Sequence, residues 1–195
     1  MPKRFILLCA VLILAGCAGA NSGPRVTLAP GGRDWDAALS EFSPERAHEI
    51  RGGLPVFIDA GAGLDPSVYE QNAGPGPAER WPNWTIDLDA AVRAFNRKFA
   101  RPDAAHYRLV RTATYGSWRT ESGILMNEFK LDWTFVGPQG RTFALESLGQ
   151  SAGFNELADS NKVSTIDARK AFADAYLRIV LKLARTAQGE PDEPE

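Results

Sequence analysis

Glu128-Phe129-Lys130-Leu131-Asp132-Trp133-Thr134-Phe135-Val136 is the stretch on which the fold turns. Its apolar residues Phe129, Leu131, Trp133 and Phe135 alternate with Glu128, Lys130, Asp132 and Thr134. A period of two sends the first set to one face of a strand and the second to the other, so one side is buried and one is wet. Gly137-Pro138-Gln139-Gly140 then turns the chain, and Phe143 and Leu145 resume the alternation. Residues 124–136 and 141–150 are therefore expected as an antiparallel hairpin.

Outward from the hairpin, Tyr107, Leu109, Ala113 and Tyr115 alternate through 106–118 and predict a further strand, interrupted on that face by Arg111. Before it, Asp87 can cap a helix whose Leu88, Ala91, Val92, Phe95 and Phe99 recur at helical spacing, with Pro102 beyond its end. Ser43-Pro44-Glu45 opens a short helix that Gly52-Gly53 closes, and Leu54 to Asp59 reads as a strand, its Pro55 suited to an edge or a strand start. After the hairpin, Ser164-Thr165-Ile166-Asp167 has the form of a capping box. The stripe Ala168, Ala171, Phe172, Ala175, Tyr176, Ile179 and Leu183 predicts a helix to about residue 183, its alanines permitting close approach to a sheet. This order predicts an α+β two-layer sandwich, a mainly antiparallel sheet of about four strands packed by two helices.

The N-terminus carries an address. Lys3 and Arg4 precede an apolar run from Phe5 to Leu14, and Ala15 and Gly16 precede Cys17. This is the layout of a signal peptide. The run falls well short of the roughly 20 residues needed to cross a bilayer core as a helix. Leu14-Ala15-Gly16-Cys17 resembles the lipobox of bacterial lipoproteins, an aliphatic residue and two small residues before the cysteine. The resemblance implies cleavage before Cys17 and its triacylation, palmitate included. With Ala18 rather than Asp next, it also implies the outer membrane, with the domain on the periplasmic face. Ordinary secretion after Ala18-Gly19-Ala20 is the competing expectation. Cys9 has no small residue before it and leaves with the signal, so the mature chain has neither a disulfide nor a thiol for catalysis or metal ligation.

Removing Lys3 and Arg4 from the 22 basic residues leaves 20 against 24 acidic ones, a mature charge of −4. Glu190, Asp192, Glu193 and Glu195 lie in the last six residues with two prolines and no apolar residue, so 189–195 is expected as a disordered acidic tail on a neutral body. A neutral body lacks the basic face that nucleic acid requires. Residues 18–84 hold ten glycines and eight prolines, whereas 85–189 hold seven and two, which marks a change of texture near residue 85. The expected organisation is a signal peptide at 1–17, a flexible tether at 18–34, one domain at 35–188 with a long loop at 61–84, and the tail.

The order of elements over roughly 54–185 is similar to several small envelope lipoproteins: the YajG-like group, the auxiliary lipoproteins of ABC-type lipid transport and the lipopolysaccharide-assembly lipoprotein. That resemblance rests on architecture. It implies a non-catalytic binding or assembly accessory whose partner is an envelope protein or a lipid.

Motifs for chemistry are few. Gly149-Gln150-Ser151-Ala152-Gly153 matches G-x-S-x-G after a strand, but both histidines, His48 and His106, lie upstream, where the hydrolase order places none. Two glycines easing the end of an antiparallel strand explain it better than a nucleophile at Ser151. Gly61 and Gly63 follow a strand without the third glycine or the helix of a dinucleotide site. Asp59 and Asp65 lack the ligand spacing of a calcium loop. The chain is expected not to be an enzyme and to hold no cofactor or metal. The remaining candidates are aromatic: Tyr69, Trp81 and Trp84 in or beside the long loop, and Trp118 at a strand end, rings suited to a protein or lipid contact or to a lid over the core. A lipid or other apolar ligand carried between the sheet and the loop is the alternative function.

Overall fold

One long strand organises the molecule, running from Ala100 to Glu121 with partners along both sides. The computed structural model describes residues 25–70, 83–121, 124–154 and 165–190. In chain order the elements are β1 (Arg25–Leu28), α1 (Gly32–Leu39), α2 (Pro44–Gly52), β2 (Leu54–Ala60), β3 (Val68–Glu70), β4 (Asn83–Ile86), α3 (Leu88–Phe99), β5 (Ala100–Glu121), β6 (Ile124–Val136), a 3-10 turn (Pro138–Gly140), β7 (Thr142–Phe154) and α4 (Thr165–Gln188). The fold is α+β. The hairpin forms as expected, with Phe135 opposite Phe143 and Trp133 opposite Leu145.

Several details differ from the sequence reading. The main sheet has five strands, because β2 and β3 both lie along the same side of β5 and parallel to it, and β1 and β4 form a separate parallel pair. Four helices pack on this framework. The last helix runs to Gln188, past the expected end at residue 183. Its stripe is buried, but so are Ala173, Leu177, Val180, Leu181 and Ala184, so the middle of the helix is buried on most sides. It lies between the sheet and α1, where Trp35 meets Tyr176 with ring centroids 5.4 Å apart. The expected tether at 18–34 contributes β1 and the start of α1, and Leu28 is fully buried. The expected loop at 61–84 contains β3 and the first half of β4, with 71–82 outside the described residues. Ser164 of the capping-box sequence, the 1–24 segment with the signal and Cys17, and tail residues 191–195 also lie outside them.

β5 changes face part-way. Its register against β6 slips between Leu109 and Arg111, a bulge with Val110 as the extra residue. Tyr107 and Leu109 face the core before it, and Thr112 and Thr114 after it. Ala113 and Tyr115, expected on the buried face, therefore sit on the opposite one. Arg111 was the visible symptom of this switch.

The core is an aromatic stack between sheet and helices. Trp133 meets Tyr176 at 5.4 Å and Phe172 at 6.2 Å, while Phe95 meets Tyr176 at 5.2 Å. Gly149 of β7 sets how close α4 comes: a Cβ there would collide with the backbone of α4 at Ala175 N and Ala171 O. Among the described residues, no helix is long and apolar enough to cross a membrane.

Candidate docking face of the sheet

The helices cover one face of the main sheet. On the other, the described outward side chains of β2, β5, β6 and β7 are all exposed or half-buried. Among the described residues, the exposed large hydrophobics Tyr69, Val110 and Leu148 belong to β3, β5 and β7. Strand register builds a row across this face: Tyr69 stands opposite Tyr115, Tyr115 opposite Lys130, and Lys130 opposite Leu148. Neighbours at such positions are close enough for their side chains to touch, and the two tyrosine rings lie 6.1 Å apart.

Tyr69 is 48% exposed yet held in place. Its hydroxyl donates to Asp65 Oδ2 at 2.5 Å, Ser67 N donates to Asp65 Oδ1 at 2.9 Å, and Thr112 Oγ1 donates to Asp65 O at 2.8 Å. The Tyr69 hydroxyl, with Ser67 assisting, keeps the Asp65 carboxyl below its ordinary range, and the Asp65 carboxylate in turn raises the Tyr69 hydroxyl. An aromatic ring fixed before contact loses less side-chain entropy when a partner covers it. Around the row, Lys130 Nζ lies 3.0 Å from Glu146 and Arg111 lies 3.7 Å from Asp132, while the neutral amide of Gln150 donates through Nε2 to Glu128 at 2.8 Å. The hydrogen bond from Lys130 to Glu146 raises the Lys130 ammonium. Further along, His106 Nδ1 lies 2.9 Å from Asp59 Oδ2 with Phe57 against its ring. These exposed pairs are worth little to stability, and they leave the face close to neutral.

The four aromatic candidates do not converge. Tyr69 is on the face. Trp84 is 2% exposed and stacked on Phe129 at 5.7 Å, so its ring belongs to the core. Trp118 lies in β5 opposite Asn127, its side chain outside the described ones, and Trp81 lies outside the described residues altogether. Tyr115, Lys130 and Leu148 were not picked out as a group. Leu148 was legible, being a large apolar residue on the wet phase of a strand whose core phase holds Phe143 and Leu145.

Ser151 is nearly buried in β7, opposite Asn127. Its preceding Gly149 is explained by the approach of α4. Among the described residues, no three His, Cys, Asp or Glu side chains are grouped to hold a metal. A cleft of about 500 Å³ opens between the turn after β2, including Gly61 and Leu64, and the passage from Ile86 at the end of β4 through Asp87 to Asp89 in the first turn of α3.

A helix side chain occupies one residue on the outer edge of β2 and one on that of β7. Asn96 of α3 accepts from Ile58 N at 3.0 Å and donates to Ile58 O at 2.7 Å, occupying the outer side of β2. Asp174 of α4 accepts from Gln150 N at 3.0 Å on β7 and pairs with Arg178 at 2.9 Å. Burial pushes the Asp174 carboxyl up from its ordinary value to about 6, against the pull of Arg178.

No family model matches the chain, and no curated protein matches it. Among solved structures, it aligns with the crystal structure of protein XCC0632 from Xanthomonas campestris, of the family described as DUF330. The alignment covers 69% of this chain and 84% of that one at 18% identity, with a TM-score of 0.29. At that score the likeness carries no weight for fold or function.

Proposed function

We propose that the chain is a lipoprotein of the outer membrane, held at the periplasmic face by acylated Cys17, and that its domain is a non-catalytic binding or assembly accessory of an envelope complex. The address is supported by Leu14-Ala15-Gly16-Cys17 after a basic and then an apolar stretch. The binding role rests on one observation, the uncovered sheet face with its pre-positioned Tyr69 beside Tyr115 and Leu148. Acylation confines the domain to a surface and so raises its effective concentration for a partner there. A close-to-neutral face selects by shape and aromatic contact rather than by charge. The partner is therefore expected to be a protein surface with apolar anchors.

Two experiments test this. Cys17→Ser is expected to abolish acylation and leave the precursor uncleaved; a soluble mature chain beginning at Asn21 refutes the address. A photo-crosslinking residue at Tyr115 is expected to trap a neighbour in native envelopes, while the same residue at Glu45 on the exposed side of α2 traps none. Equal trapping at both refutes this face. A second reading, carriage of a lipid or other apolar ligand, is favoured by the cleft beside Gly61 and Ile86. Lipid retained stoichiometrically by the purified chain would support it.

A further inference from the structure

The row Tyr69, Tyr115, Lys130 and Leu148 spans four neighbouring strands, so its middle falls between Tyr115 on β5 and Lys130 on β6. Tyr69, 48% exposed, and Leu148, 47% exposed, lie one strand further out on either side of that middle. A two-fold axis laid along the strands at this point sets Tyr69 of each copy on Leu148 of the other. It also sets each Tyr115 ring over Lys130 of the other copy, an attractive contact between a cation and an aromatic face.

Charge divides about the same line. Between His106 and Ser117, the outward positions of β5 carry Arg108 and Arg111 and no acid. Between Glu128 and Gln150, those of β6 and β7 carry Glu128, Asp132 and Glu146 against Lys130 alone. Beyond β5, Asp59 is paired with His106 and Asp65 is held by the Tyr69 hydroxyl. The face is neutral as a whole because a positive β5 cancels an acidic β6 and β7. Among the described residues, neither Arg108 nor Glu128 has an ion-pair partner. The same two-fold lays β5 of each copy over β6 and β7 of the other, positive on negative twice. A surface that is complementary to itself in this way is what an isologous interface requires.

Size and shape agree. Four strands at about 4.8 Å and ten residue steps from Met126 to Val136 at about 3.4 Å give roughly 650 Å² in projection. Side-chain relief makes the accessible area larger, which brings it near the roughly 800 Å² per partner of a standard stable interface. Two sheets stack face to face with their strands within about 30° of one another, as a two-fold along the strands allows.

We propose that the partner of this face is a second copy of the chain, the two sheets stacked about a two-fold axis that runs along the strands between β5 and β6. The proposal rests on the docking reading of the face and is independent of the acylation. The apolar ends of the row supply affinity, and the divided charge fixes orientation and excludes unlike partners.

The test uses the full processed chain in detergent, with sedimentation equilibrium as the readout and circular dichroism checking that each variant is folded. The natural chain is expected to dimerise, and Leu148→Glu to weaken dimerisation about ten-fold or more. Two charge-reversed chains probe the symmetry. One carries Arg108→Glu and Arg111→Glu, the other Glu128→Lys and Glu146→Lys. Each alone sets like charge on like and is expected to stay monomeric at low salt, whereas an equal mixture restores both contacts and dimerises. A natural chain that remains a monomer overturns the proposal, and so does a mixture that pairs no better than its components. A photo-crosslinking residue at Leu148, with heavy- and light-isotope copies in one native envelope, is expected to join the Tyr69 peptide of the other copy. Trapping of a different protein there overturns self-pairing and leaves the docking face standing. Trapping of nothing overturns both.

Discussion

Asp174 offers the most direct test of the physical reasoning. It is 3% exposed, paired with Arg178, and bound to the backbone of β7 through Gln150 N. Its carboxyl is raised to about 6 from an ordinary 3.8, first because burial penalises the charged form, with Glu41 adding a little and Arg178 and Gln150 opposing. The folded state therefore holds this proton more tightly than the unfolded state. The stability it contributes is fully present below about pH 4 and is lost as the pH rises through about 6. A rise of that size is equivalent to about 3 kcal/mol, or about 6–12 °C in Tm for a chain of this size. Asp174→Asn keeps an oxygen to accept from Gln150 N and removes the buried charge, while Arg178 keeps its place 4.8 Å from the Phe42 ring. Thermal melts followed by circular dichroism from pH 4 to pH 7 are expected to fall for the natural chain and to be markedly flatter for the variant. At pH 7 the variant should be at least as stable as the natural chain. Parallel curves would refute the claim that desolvation outweighs the ion pair at this site.

Other substitutions probe the packing and the face. Gly149→Ala forces a Cβ into the backbone of α4 at Ala171 and Ala175, and should cost the upper end of the about 1–3 kcal/mol typical of overpacking, read by urea denaturation. Asn96→Leu strips Ile58 of both its partners on the outer side of β2; a loss of about 2 kcal/mol is expected, with faster amide exchange at Ile58 as the specific signature. Trp133→Ala opens the aromatic stack and should cost about 3–5 kcal/mol in the same assay. Leu148→Glu alters an exposed position and should leave stability within about 0.5 kcal/mol while reducing crosslinking from Tyr115, so a large stability loss would show that Leu148 is not free surface.

Legibility in the sequence followed periodicity. β6 and β7 were readable because one face is dry and the other wet, and α3 because Asp87 accepts from Ala90 N at its start and five apolar residues share one stripe. What escaped was set by distant parts of the chain. β1 is only four residues and gains its partner from β4, 58 positions away. β3 is three residues whose pairing depends on the far half of β5. The face switch at Val110 left one mark in the sequence, Arg111 on an apolar phase. The candidate site was half legible for the same reason. Tyr69 stood out as an aromatic in a glycine-rich stretch, but its row with Tyr115, Lys130 and Leu148 exists only once three strand registers are set. Trp84 shows the converse, since proximity to an irregular segment suggested exposure while stacking on Phe129 buries it.

Asn96 and Asp174 bear on what the membrane anchor proposed above would ask of the fold. A lipid-anchored population is confined to two dimensions, where copies meet far more often than in solution. An unpaired strand edge in that setting is an invitation to chain-to-chain strand pairing. Ile58 near the middle of β2 already has both backbone groups taken by a side-chain amide, and Gln150 on β7 has its N–H taken by a carboxylate. A foreign strand would have to expel a helix side chain to run along either of them. Anchored as proposed, the molecule would be crowded on its membrane with the Tyr69 face turned to its neighbours, and at these two positions a helix side chain would stand in the way of lengthening the sheet from one copy to the next.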